Sequence, residues 1–259
     1  MKPLLCSALL LLAFSLNAQA PTAVPIPQEP HHHLVLENDY VRVFRVSVPA
    51  HESTLLHQHD VPYLYVALGP ADVINAVQGK PEAHLTMADG QLGYSAGHFA
   101  HIARNESALP FNNVTIELLK PQGEAHNLCE KIIEGPVKNC ESSGASTVPN
   151  DSPLRALVRA TGPRQLFETE EILVSSHSPP APIEQHYSES SPHSVRLLVV
   201  EDGSELRVDL DGEPSKSLHS GDVFWLESGK KWTIVTPGKH KVTRFLLVGF
   251  KESEPTTKL

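Results

Sequence analysis

His57-Gln58-His59 and, far downstream, His101 and Asn105 are the residues of this 259-residue chain whose types and spacing could do chemistry. On a β-strand, residues two apart point to one face, so the paired imidazoles would stand about 6–7 Å apart along the backbone. One ion can then be shared between them. Neutral imidazole is the commonest ligand for first-row transition metals, and a third imidazole from another strand would cap one face of the ion and leave positions open. The plain alternative is a pair of solvated loop histidines.

Other chemistries fail simple tests. The chain has no Gly-x-Ser-x-Gly elbow, phosphate-binding glycine loop, dinucleotide fingerprint or His-Glu-x-x-His helix. The formal net charge is −9, and no basic patch or polybasic helix offsets it. Nucleic acid and anionic membrane surfaces are therefore poor partners.

The elements that must position these side chains read as short strands. Twenty-two prolines, 15 glycines and a 6% aromatic content favour many strands and turns over long helices. Residues 1–20 read as a secretory signal, with Lys2 as the positive n-region, an apolar run from Leu4 to Leu16 and a small-x-small site at Ala18-Gln19-Ala20. The run is too short to span a membrane comfortably, so no stable anchor is expected and the protein reads as secreted or periplasmic. Residues 21–33 follow as an extended leader ending in His31-His32-His33, which could scavenge metal but reads better as an exposed and uncommitted tract.

From residue 34 to 121, apolar runs recur at turn-separated intervals: Tyr40 to Val48, Tyr63 to Leu68, Ala83 to Met87, His98 to Ala103 and Val114 to Leu119. Residues 122–163 break the rhythm as a linker holding Cys129 and Cys140, and an even pair in an oxidising compartment is best read as one disulfide. Closing a loop of about a dozen residues would contribute roughly 3 kcal/mol in the chain-entropy account. The rhythm resumes over 164–251, in Gln165 to Val174, Val195 to Val200, Leu206 to Leu210, Val223 to Leu226, Trp232 to Val235 and Val242 to Val248, before a tail at 252–259. The halves superpose by local text: His57-Gln58-His59 against Glu184-Gln185-His186, the run from Tyr63 against the run from Val195, and the Gly90 to Gly97 turn against Gly221 to Gly229. Duplication is the economical explanation, and short strands without intervening helices predict antiparallel sandwiches or jelly rolls.

At this point the chain resembles a secreted two-domain cupin. The family's first motif runs Gly, five residues, His-x-His, three or four residues, Glu, six residues, Gly. His57 and His59 match it, while Tyr63 stands where the glutamate would be, His51 takes the leading glycine position and Gly69 falls one residue early. In the second motif Gly97, His101 and Asn105 match, with one extra residue before the histidine and Ser95 in place of the proline. The resemblance implies an all-β fold of two tandem jelly-roll barrels after the signal peptide. It also implies one divalent transition metal ion (Fe, Mn, Ni or Zn) in the N-terminal barrel on His57, His59 and His101. Asn105 would be a nearby structural or ligand-bracing residue. Tyr63 would be a pocket wall, a hydrogen-bonding neighbour or an oxygen ligand.

Without the carboxylate, three neutral imidazoles leave the ion its full charge of about +2, and such a site should attract a small anionic molecule. An enzyme built this way would be a mononuclear non-haem oxygenase, or an isomerase or lyase acting beside a carbonyl. Its candidate proton carriers would be Tyr63, His51 and His98. A metal-free ligand-binding or assembly module, including a homodimer paired through its sheets, is the competing class. The second half, with Glu184, His186 and Trp232 at the motif positions, reads as a metal-free partner barrel.

Overall fold

The computed structural model describes residues 22–138, 163–179, 195–201, 203, 205–236 and 243–251, with the backbone of 184–187. The expected signal segment, the tail and Cys140 lie outside the described residues. Among the described residues no helix is long and apolar enough to cross a membrane.

Ten strands make the first barrel: β1 (Val24–Pro25), β2 (His32–Glu37), β3 (Val41–Val48), β4 (His57–His59), β5 (Tyr63–Ala67), β6 (Ala71–Val77), β7 (Ala83–Met87), β8 (Leu92–Ser95), β9 (Phe99–Asn105) and β10 (Phe111–Leu118). They form two five-stranded sheets, β1-β4-β9-β6-β7 and β2-β3-β10-β5-β8. All pairings are antiparallel except β1 on β4. The second barrel comprises β11 (His126–Asn127), β12 (Arg164–Glu168), β13 (Ile172–His177), β14 (Glu184–Tyr187), β15 (Val195–Val200), β16 (Glu205–Leu210), β17 (Lys216–His219), β18 (Val223–Leu226), β19 (Trp232–Val235) and β20 (Phe245–Phe250). Its sheets are β11-β12-β13-β20-β15-β18 and β14-β19-β16-β17. Adding ten to each strand number turns β3-β10-β5-β8 into β13-β20-β15-β18 and β4-β9-β6-β7 into β14-β19-β16-β17. The fold is all-β, and its order repeats.

Period-two alternation decides what each sheet buries. On β10, Val114, Ile116 and Leu118 face away from the first barrel's interior and pack, with Val41, Val43, Leu64 and Val66, against Phe167, Val174, Leu197 and Val248 of the second half. One apolar layer thus joins the two barrels. On the other face of β10, Phe111, Asn113 and Thr115 line the first barrel's cavity.

Two sequence expectations change here. Gln165 to Val174 is a hairpin of β12 and β13 rather than one strand, because the Thr169 hydroxyl accepts the Glu171 and Ile172 N–H groups and turns the chain. The superposition of the halves also shifts by one residue. Ala67 and Val200 are equivalent, since their carbonyls accept the N–H of Gly90 and Gly221 respectively, and this sets Tyr63 against Arg196, not Val195.

Candidate metal centre

β4 and β9 lie side by side with His57 directly opposite His101 and His59 opposite Phe99, so one sheet face carries all three imidazoles. Their ring centroids stand 4.5 Å (His57 to His101) and 5.1 Å (His57 to His59, and His59 to His101) apart. Their candidate ligand atoms lie within 4.8 Å of one another. The turn that aims β9 needs Gly97: its φ is +73°, and a Cβ there would sit 2.2 Å from the Val61 carbonyl oxygen.

Hydrogen bonds fix two of the rings. His57 donates Nδ1–H to the Leu55 carbonyl at 2.9 Å, and His101 donates Nδ1–H to the Asn75 side-chain oxygen at 2.6 Å. Each therefore turns its Nε2 lone pair inward. The His59 ring is held by stacking on Tyr63 at 4.0 Å and 21°, and its Nε2 faces the His101 Nε2 at 3.1 Å. Its buried Nδ1 has no partner among the described residues. Two ring nitrogens this close need a proton or a cation between them, and adjacent nitrogens bound to one ion at about 2.1 Å would stand about 3 Å apart. The donor set fits a divalent transition metal.

Burial pushes all three histidines down: His57 to about 4, with the His32 charge adding to the effect, His59 to about 2 and His101 to about 3, both helped by neighbouring imidazoles. They are neutral imidazoles at neutral pH. The cavity above them has a void of about 570 Å³ counted with its open mouth, lined by Val46, Val73, Leu85 and Met87 and by the polar Tyr65, Asn75, Asn113 and Thr115. No carboxylate among the described residues lines it.

The structure places the expected residues unequally. Tyr63 is a cavity wall on β5, and burial raises its phenol pKa while a hydrogen bond with Ser95 opposes the rise. Asn105 does not reach the cavity. Its amide donates to the carbonyls of Val48, Pro49 and Leu109 and accepts from Ser107, which ties two loops together. His51 and His98 are exposed turn residues at φ +59° and +62°, and neither lines the cavity. In the second barrel the register sets Gln185 and Tyr187, not Glu184 and His186, opposite the buried Ile234 and Trp232. Cys129 is half-buried beside Arg164, while Cys140 lies outside the described residues, so their expected bond is not described.

Three residues escape sequence reasoning: Asn75, His32 and Glu29. The tract at 31–33, expected to be exposed, splits, because β2 begins at His32 and turns it inward. The His32 ring sits 4.8 Å from the His57 ring, and its Nδ1 lies 2.5 Å from Glu29 Oε2. Glu29 is 1% exposed and also accepts the N–H groups of His31 and Leu55. Burial raises its pKa, but His32 and these N–H groups together outweigh that and leave it lowered. The pattern Glu29-x-x-His32 beside an apolar Val24 and Ile26 was the available signal.

No family model matches the sequence, and no curated protein matches it. Solved structures do. Ylba from E. coli superposes with a TM-score of 0.58 at 10% identity, over 91% of this chain and 90% of that one. AerE from Microcystis aeruginosa gives 0.55 at 9% identity, over 86% of this chain and 99% of that one. A salicylate 1,2-dioxygenase from Pseudaminobacter salicylatoxidans gives 0.51 at 12% identity, over 85% of this chain and 75% of that one. At such identities the likeness speaks for architecture: like these neighbours, the chain has the cupin fold.

Proposed function

We propose that the first barrel holds one divalent transition metal ion on His57, His59 and His101, and binds a small anionic molecule there for turnover. One observation carries the reading: three neutral imidazoles, two buried and one half-buried, converge at a cavity that no carboxylate among the described residues lines. An ion bound there keeps its positive charge in a poorly solvated place, and an anionic oxygen donor would neutralise it. When bound, the ion would supply Lewis acidity and open coordination positions. The protein's share is to hold three lone pairs in place, through Leu55 and Asn75, and to exclude bulk water with Tyr63, Met87 and Val48. Asn113 and Thr115, bonded to each other at 2.8 Å on the cavity wall, offer polar contacts to the ligand. A cupin-fold neighbour solved as adducts with gentisate supports a small carboxylate as the ligand class. Export of the protein rests on the Lys2 to Ala20 pattern.

The test is elemental analysis of protein purified from its own host, followed by calorimetric titration with small carboxylates, aromatic and aliphatic, and with their neutral amides. The reading expects about one metal ion per chain, carboxylate binding that disappears with the metal, and no binding of the amides. Metal-free protein that binds carboxylates equally well would overturn it. Oxygen-uptake measurements on the loaded protein then separate an oxygenase from an isomerase or lyase.

A further inference from the structure

The three-histidine reading leaves the Glu29 and His32 pair without a role. Four features of that pair bear on the metal centre. The His32 ring lies as near His57, at 4.8 Å, as the three histidines lie to one another, and 6.5 Å from His59, so it stands on the His57 side of the cluster. It is buried and lines the same cavity. Its Nδ1 faces a carboxylate oxygen whose other hydrogen bonds all come from N–H donors, so Nδ1 donates its proton there and Nε2 is the nitrogen turned away from the carboxylate. That Nε2 has no hydrogen-bond partner among the described residues, and the His32 ring lines the cavity.

A carboxylate that accepts one imidazole N–H while the other nitrogen binds a metal is a recurrent arrangement, because it sets the tautomer and raises the basicity of the ligand. We infer that His32 is a fourth nitrogen ligand of the centre and Glu29 its orienting carboxylate, an inference that rests on the metal reading of His57, His59 and His101. The attachment of this segment agrees with such a role. Val24–Pro25 pairs with β4, the strand that carries His57 and His59, and Ile26 is 2% exposed in the core beneath. Glu29 also accepts the Leu55 N–H at 3.1 Å, while the Leu55 carbonyl receives the His57 Nδ1–H, so one carboxylate positions both rings.

The full-length chain, stripped of metal and titrated with Co²⁺, gives the test through visible absorption and affinity. The wild type should bind one Co²⁺. His32→Gln should weaken binding by more than about 100-fold and change the absorption band, and Glu29→Gln should weaken it by about 10–100-fold with the band retained. His57→Ala should abolish binding. A His32→Gln protein with wild-type affinity and spectrum overturns the fourth ligand and leaves the three-histidine centre standing. Wild type that takes up no Co²⁺ overturns both. Should His32→Gln fail to fold, X-ray absorption of Co²⁺-loaded wild type decides, with four imidazole nitrogens supporting the inference and three overturning it.

Discussion

The two barrels share a strand order and differ in what their strands turn inward. Where the first places Tyr65, Asn113 and Thr115 along β5 and β10, the equivalent positions of the second hold Leu198, Phe245 and Leu247. Where Gly93 opens a notch for the Tyr65 ring, the second barrel has Phe224. The second interior is consequently an apolar core of Leu198, Val200, Leu206, Val208, Leu218, Leu226, Trp232, Ile234, Phe245 and Leu247. Each such side chain stabilises the fold by about 1.5–3 kcal/mol on full burial. A cavity survives at one end, lined by Ser175, His177 and Arg196, but among the described residues only the first barrel groups three potential metal ligands. The N-terminal segments diverge too. β1 runs to the histidine-bearing sheet and brings Glu29 and His32 with it, whereas β11 pairs with β12 on the opposite sheet. The repeated strand order therefore supplies a scaffold, and the candidate site differs from its counterpart in a few inward side chains and one N-terminal segment.

The sharpest way to break this division is to remove ligands from each side. His57→Ala and His101→Ala should each abolish stoichiometric metal in protein recovered from its own host, while His186→Ala leaves it unchanged. Equal metal content in the three variants, by elemental analysis, would sink the site assignment. The converse perturbation belongs to the second core. Trp232→Ala, at a site 3% exposed, should cost about 3–5 kcal/mol in urea unfolding with the metal content of the folded protein unaltered. Loss of metal at full folding would show that the second interior serves the site directly.

Sequence patterns reached the strands that read as alternating or continuous apolar runs. The bounds of Ala83–Met87, Val223–Leu226 and Trp232–Val235 agree with the text-based runs to the residue. His57, His59 and His101 stood out because one face of a strand and one neighbouring strand suffice to gather them. Ala71–Val77 stayed hidden, since Asp72 and Asn75 interrupt its alternation, and the Asn75 role with it: that bond to His101 crosses between strands 26 residues apart. Glu29 and His32 were masked by Pro21, Pro25, Pro27 and Pro30, which read as a leader. What folds that segment in is tertiary, the pairing of β1 with β4 and the burial of Ile26. The one-residue slip between the halves has a similar origin. Val195, Leu197 and Val199 are as apolar as Leu198 and Val200, so a strand buried on both faces carries no parity in its text.

Gly93 tests that inward swap at one position. A Cβ there would come within 2.1 Å of the Tyr65 ring, so Gly93→Ala should cost about 1–3 kcal/mol through overpacking. Adding Tyr65→Leu, the side chain found at the equivalent position 198, should restore most of that loss. A double-mutant cycle on the metal-free protein measures the coupling, and additive costs would mean that the glycine is kept for another reason.

The smallest expected effect is a pH dependence that separates the histidine cluster from the layer between the barrels. His57 is depressed to about 4 by burial, so between the unfolded value near 6.5 and that value the unfolded chain binds the extra proton, and stability falls as pH falls. At pH 5.5 the loss from this residue is about 1.4 kcal/mol relative to pH 7.5. Glu201, buried beside Arg244 and Asp89, acts with the opposite sign: burial raises it to about 7, so its contribution declines as pH rises from about 4.5 toward 7. The two contributions oppose each other in the wild type, and substitution tells them apart. In metal-free protein unfolded by urea at both pH values, His57→Gln should lose about 1.4 kcal/mol less stability on acidification than the wild type does, whereas Glu201→Gln should lose more. Identical pH dependence in His57→Gln and wild type would mean that His57 titrates normally, and the dry, neutral imidazole cluster would have to be given up.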